Sequence, residues 1–201
     1  MGGWLEIPLF IYVCKPLLMP TLGLVLFFNK NKIKKTRFYL LILALLFSFF
    51  GDVFLIFSTN FFLQGLLSFL ITHIIYILIF YKNVELKINF KFIFVLFVFL
   101  AYYLFLIQLL SSYLDLLLFP VCVYGASLVI MGFGAFLRIP KQGYRSVLLG
   151  ALLFIFSDSI LAVNHFMYDS NLKLAQVFVI LLYVMAQYFI VKGLLEKRSD
   201  V

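Results

Sequence analysis

Four ionisable side chains stand inside long apolar runs of this 201-residue chain: Lys15, Asp52, His73 and Asp158. A charge in hydrocarbon costs about 2.5–3.5 kcal/mol or more unless it faces protein or water, so each marks a candidate functional position. Asp115 and His165 lie near run ends, where headgroups are within reach. Ser48 precedes Asp52 by four residues and shares its helical face, and His165 follows Asp158 by two turns. Asn164 points elsewhere on that turn, while Gln187, four after Tyr183, extends a polar edge. Two carboxyl groups in an apolar setting suit three chemistries. One is an acid paired with a base or electrostatic partner, as where carboxylates flank an oxocarbenium-like transition state. The others are a proton relay in a transporter and a zinc site of two Asp and two His. The zinc pattern is poorly matched, for the chain contains neither HxxxH nor HExxH. GxSxG, Walker and Gly-rich nucleotide motifs are also missing. A plainer reading makes Lys15 the ion-pair partner of one Asp and His73 an interior histidine bonded to a neighbour.

The elements that must hold these residues follow from composition. Hydrophobic residues make up 66% of the chain and charged residues 12%, about half the charged share of a soluble domain. Mean hydropathy is +1.17. Lipid is the solvent this composition calls for, which excludes a cytosolic enzyme, a secreted disulfide scaffold and a nucleic-acid-binding domain. Polar breaks cut the sequence into seven apolar runs, 5–28, 38–58, 61–81, 90–110, 114–137, 146–165 and 173–194. All are too long for strands, and none alternates as barrel strands do. The expected fold is an all-α polytopic transmembrane helical bundle, a single domain over 1–201. Gly51, Gly65, Gly125, Gly132, Gly134 and Gly150 are small enough to let its helices approach closely. The aromatic load, 27 Phe and 12 Tyr, reads as lipid-facing bulk and interface belt. Cys14 and Cys122 read as small core residues.

The net charge of +8 is a topology signal rather than a sign of an anionic partner. Lys30, Lys32, Lys34, Lys35 and Arg37 follow the first run, and Lys82, Lys87 and Lys91 the third. Arg138, Lys141 and Arg145 follow the fifth, and Lys192, Lys197 and Arg198 close the seventh. Only Lys15 and Lys173 fall elsewhere. Seven spans with this alternation place the N-terminus outside and the C-terminus in the cytoplasm. The carboxyls then sit in the outer half, opening toward the exoplasmic leaflet. Residues 1–6 have no basic stretch or cleavage pattern, so the first run is expected to stay in the mature protein. A compact chain with so strong a charge bias points to a bacterial inner membrane.

Two segments echo each other: Leu46 to Asp52 and Leu152 to Asp158, with Leu55 and Leu161 three residues beyond. Four groups of residues, in order along the chain, carry a wider likeness. They are Lys15-Pro16-Leu17-Leu18-Met19-Pro20; Ser48-x-x-Gly51-Asp52; Gly65-Leu66-x-Ser68-Phe69-x-x-x-His73-x-x-Tyr76; and Gly150-Ala151-x-x-Phe154-x-x-Ser157-Asp158-x-x-x-Ala162-x-Asn164-x-Phe166. Together they resemble the YhhN-like lysoplasmalogenase family. Family members commonly carry a further span before the Lys-Pro helix, giving eight. The resemblance implies hydrolysis of the vinyl-ether bond of a lysophospholipid, with release of a fatty aldehyde and a glycerophospho-headgroup. It implies Asp52 and Asp158 as the catalytic pair and Lys15 as a phosphate or tuning group. Ser48, His73, Tyr76, Asn164, Tyr183 and Gln187 would line the substrate pocket. No metal or organic cofactor is implied; the partners are the lysophospholipid and the bilayer. A small-solute or proton-coupled transporter using the same carboxylates is the alternative, though no matching pair of Gly/Pro-broken helices supports it. A membrane structural protein without turnover is a third reading.

Overall fold

Where water is absent, a segment must satisfy its backbone hydrogen bonds within itself, and an apolar run of about 20 residues does so as a helix. The computed structural model describes residues 6–57, 61–82, 84–86, 88–139, 141–168 and 172–196, with side chains from Leu17 onward. Among these residues there are seven α-helices and no strand: α1 (Glu6–Phe28), α2 (Lys35–Phe57), α3 (Phe62–Tyr81), α4 (Phe90–Leu110), α5 (Leu118–Leu137), α6 (Tyr144–Tyr168) and α7 (Lys173–Leu195). The all-α expectation holds. Helices α2 to α7 are each long and apolar enough to cross a membrane. Three limits differ from the sequence reading. Helix α2 begins at Lys35 because Lys and Arg are good helix formers whose stems can lie along apolar surface. Helix α5 begins only at Leu118, after two short 3₁₀ turns, Ser111–Tyr113 and Asp115–Leu117. Asp115 opens the second of them with a φ of +38°, which ends the continuity with α4. Helix α6 continues to Tyr168, past the polar Asn164 and His165.

The chain parts into two compact units, Met1–Tyr76 and Ile77–Val201, with the division inside α3. In the first unit α1 packs against α2. Helix α2 buries Leu41, Ala44, Leu45, Ser48 and Asp52, an inward stripe at helical spacing. Helices α2 and α3 meet through glycine. A Cβ on Gly51 would stand 2.6 Å from the Phe69 ring, and one on Gly65 would stand 2.9 Å from Leu55. Small residues let membrane helices gain the close packing that lipid does not otherwise favour.

In the second unit α6 and α7 form the most extensive pair, and α5 packs on α6 and α4. Gly143, with φ of +67°, starts α6 directly against the Gly193 backbone of α7, a place where both the backbone angle and the approach require glycine. Phe99 and Leu110 are buried on helix α4, while Phe90, Phe94, Phe97 and Phe105 are exposed. One of the topology charges behaves differently from expectation. Arg138 is buried, with its guanidinium carbon 5.8 Å over the Phe80 ring. It caps the C-terminal end of α5, where a cation is favoured, and its stem follows the apolar surface inward. Nearby, Lys141 donates to the Lys82 carbonyl, and Lys91 lies 5.9 Å over the Phe136 ring.

Candidate functional site

Each unit buries one of the two candidate carboxyl groups. In the first, the inward stripe of α2 brings Asp52 one turn after Ser48, and both are fully buried. Across from Ser48, Thr72 of α3 lies 3.2 Å away. The Thr72 hydroxyl also lies within donating reach of two carbonyls, Ala44 at 3.2 Å and Ser68 at 3.3 Å. His73 and Tyr76, on the same helix as Thr72, are fully buried as well. The expected site residues on α2 and α3 therefore turn inward. Lys15 lies on α1, but its side chain is outside the described residues.

The second unit is organised by three consecutive residues of α6. Ser157, Asp158 and Ser159 are successive, so their side chains leave the helix about 100° apart. Ser157 Oγ donates to the Val179 carbonyl of α7 at 2.9 Å. Asp158 Oδ2 accepts from the Tyr124 hydroxyl of α5. Ser159 Oγ donates to its own Ile155 carbonyl at 2.7 Å, which leaves it as acceptor for the Tyr102 hydroxyl of α4, also at 2.7 Å. Packing repeats the same division. Gly150, seven before Ser157, faces the Ala186–Ile190 backbone of α7, and Phe154 meets the Tyr183 ring edge-on at 5.5 Å. Ile155, three before Asp158, fills the space above Gly132 of α5.

Asp158 is 9% exposed, and what it is exposed to is a groove between α4, α5 and α6. Tyr102, Tyr103, Leu106 and Ile107 form the α4 wall, with Tyr124, Gly125 and Leu128 opposite on α5. The groove is partly open and measures about 50 Å³, more than a single water needs. A carboxyl with a tyrosine hydroxyl on one oxygen, facing a narrow apolar groove, can exchange a proton with a lipid-soluble substrate or orient a water toward it.

The other expected site residues fall in different places. Tyr183 and Gln187 are buried one turn apart on α7, on its α6 side. Asn164 of α6 bonds the residue that precedes α7: its Oδ1 accepts from the Leu172 amide at 3.1 Å, and its Nδ2 reaches the Leu172 carbonyl at 3.5 Å. Tyr124, Tyr102 and Ser159 escaped the sequence reading, which singled out Tyr76 and Tyr183 and took most other tyrosines as interface belt. A signal was available, because Tyr102 and Tyr124 stand well inside their apolar runs. A tyrosine at that depth needs a partner for its hydroxyl. Among the described residues, no three of His, Cys, Asp and Glu converge as a metal-ligating group.

The YhhN family matches residues 10–194, all of the helical region but its edges. The chain belongs to the YhhN family. No curated protein and no solved structure matched it. Membership and the long apolar helices agree on a multi-pass integral membrane protein. Asp52 and Asp158 both fall within the span matched to the family.

Proposed function

We propose that this protein is a membrane hydrolase that cleaves the vinyl-ether bond of lysoplasmalogens. The observation that carries the reading is Asp158, held by Tyr124 at the wall of an apolar groove beside a lipid-facing helix. A vinyl ether of a membrane lipid presents an apolar, weakly basic carbon–carbon double bond, and its hydrolysis starts with protonation of the β-carbon. The electrons of the double bond form the new C–H bond, and the ether oxygen shares the positive charge left at the α-carbon. Water then adds to the α-carbon and loses a proton, giving a hemiacetal. Its collapse breaks the carbon–oxygen bond to glycerol, with a fatty aldehyde and a glycerophospho-headgroup as products. One carboxyl must deliver a proton, and one carboxylate must stabilise the cation and receive a proton from water. Asp52 and Asp158 are the two carboxyls that the reading assigns to these tasks. A bacterial inner membrane, reached from its outer leaflet, is the setting the charge distribution supports.

The test is fatty-aldehyde release from a lysoplasmalogen by the purified protein, beside Asp52→Asn and Asp158→Asn. Loss of a group acting in general acid–base catalysis lowers turnover about 10²–10⁴-fold, so both monodisperse variants should be nearly silent. A monodisperse wild type that releases no aldehyde from either ethanolamine or choline substrates would refute the reading and turn attention to transport or lipid binding.

A further inference from the structure

Four cations gather where α3 ends, α4 begins and α5 ends: Lys82, Lys91, Arg138 and Lys141. The end of α5 is where they meet. Lys91 lies 5.9 Å over the Phe136 ring, the Arg138 guanidinium lies 5.8 Å over Phe80 of α3, and Lys141 donates to the Lys82 carbonyl. Packing joins the same three helices: the Tyr81 hydroxyl donates to the Ile130 carbonyl at 3.2 Å, and the Phe92 and Phe133 rings meet edge-on at 5.2 Å. Orienting a chain in a membrane requires only that its basic residues lie among the headgroups, in water. Here Arg138 is 3% exposed and Lys141 half-buried, so both give up hydration that a purely orienting charge would keep. Lys82 and Arg138 follow the C-terminal ends of α3 and α5, where a cation is favoured. Lys91 is the reverse case. It stands in the first turn of α4, the positive end of the helix, and that turn holds no acid. Among the described residues this end of the unit has two acids, Glu85, exposed in the α3–α4 connection, and Glu196, which accepts from Ser146 of α6 at 3.2 Å.

We infer that this corner binds the headgroup of an anionic phospholipid of the phosphatidylglycerol type, with its phosphate among Lys91, Arg138 and Lys141. Ammonium and guanidinium groups from three helix ends, at the level where apolar helices emerge from lipid, suit a phosphate diester. Its negative charge supplies what the first turn of α4 lacks and offsets the hydration lost by Arg138 and Lys141. Phe90 and Phe94, exposed and stacked on one another beside Lys91, offer the apolar surface for its chains, which a soluble phosphate would not use. The basic run from Lys30 to Arg37 is a useful contrast. It has one charge more, yet it is a single stretch with Lys30, Lys32, Lys34 and Lys35 all exposed, so mobile counter-ions can serve it. The corner is also separate from the groove at Asp158, because Arg138 lies about 21 Å beyond Tyr124 along α5. Lipid held there is not the substrate, and the inference does not depend on the vinyl-ether reading.

The test counts lipid bound to the full-length protein in a neutral maltoside detergent by native mass spectrometry. Dioleoyl phosphatidylglycerol and dioleoyl phosphatidylcholine are titrated separately. A first phosphatidylglycerol should bind saturably, about fivefold or more tighter than phosphatidylcholine. Each cation beside an anionic headgroup contributes about fivefold in affinity, so Lys91→Gln alone should weaken this site about fivefold and Lys91→Gln with Lys141→Gln about 25-fold. Lys141→Arg keeps the charge and should bind as the wild type does. Lys32→Gln with Lys34→Gln removes as much charge from the α1–α2 run and should change the first site less than about twofold. Equal losses in the two double variants would overturn the inference, because binding would then follow net charge alone. Equal binding of the two lipids would overturn it too, as would a Lys91→Gln protein that binds like the wild type. Displacement of phosphatidylglycerol by an equal concentration of glycerol 1-phosphate would overturn the lipid occupant in favour of a soluble phosphate.

Discussion

Replacing Tyr124 by Phe removes one oxygen and keeps the ring, so it isolates the hydrogen bond to Asp158. Both residues are 9% exposed, and little water can take the place of the lost hydroxyl. A hydrogen bond to a charged group contributes about 1.5–3 kcal/mol net, against about 0.5–1.5 kcal/mol for a neutral pair. If the hydroxyl holds the carboxyl in its working orientation, that energy is lost in the transition state, and turnover falls roughly 10- to 150-fold. Tyr102→Phe is the internal comparison. It deletes a neutral, only part-buried bond one residue along α6, 2.7 Å to Ser159, and should lower turnover less than about tenfold.

The assay is initial-rate aldehyde release over a range of lysoplasmalogen concentrations, with thermal melting of each variant in the same detergent. A bond that serves only to hold α5 on α6 would lower the melting temperature and leave kcat of the surviving protein unchanged. One that aligns Asp158 lowers kcat with little change in KM. The reasoning is refuted if folded Tyr124→Phe turns over within about twofold of wild type, or if the two Phe variants lose activity equally.

Two further outcomes concern the frame around the site. Gly150→Ala would bring a Cβ to 2.7 Å from the Ala186 carbonyl oxygen and 2.8 Å from the Ile190 amide nitrogen. Backbone cannot swing aside as a side chain can, so melting should show a loss of about 1–3 kcal/mol or more. Gly23→Ala, with no described atom within 4 Å, should instead be neutral or stabilise α1 by about 0.5–1 kcal/mol. Asn164→Ala removes both ties to Leu172 and should cost about 1–2 kcal/mol, with faster hydrogen exchange at the Leu172 amide.

Much of the fold was legible because lipid imposes a strong rule: a run of about 20 apolar residues has few alternatives to a helix. The ends were less so. Lys35 and Thr36 extend α2 into the basic connection, and Asp115, at positive φ, holds back the start of α5 through contacts of a turn rather than through composition. The burial of Asp52 and Asp158 was legible for the same reason as the helices, since a carboxyl inside an apolar run must face protein. The partner of Asp158 was not. Which of 12 tyrosines reaches it depends on the rotation and vertical register of α5 against α6, and apolar periodicity leaves both nearly free in a chain that is hydrophobic on most faces. Asn164 shows the converse case. Its polarity and its place near Asp158 suggested a pocket residue, whereas its amide bonds Leu172 at the start of α7.

The rotation of α6 is what the site depends on, and two kinds of contact set it. Gly150 lies against the α7 backbone and the Ile190 side chain, and Ser157, seven residues later on that face, bonds the Val179 carbonyl of the same helix. Ser159, two residues on, reaches Tyr102 of α4. Turning the helix by one residue, about 100°, would break both serine bonds and drive a bulkier residue into the Ala186–Ile190 backbone. Interhelical hydrogen bonds in membranes average only about 0.6 kcal/mol, so these serines add little to stability on their own. Their effect is selective rather than large: among the rotations apolar packing would tolerate, they favour the one that presents Asp158 to Tyr124 and to the groove. A carboxyl that is costly to place in a membrane is thus held by neighbours that cost little, on a helix whose glycine face leaves it one way to sit.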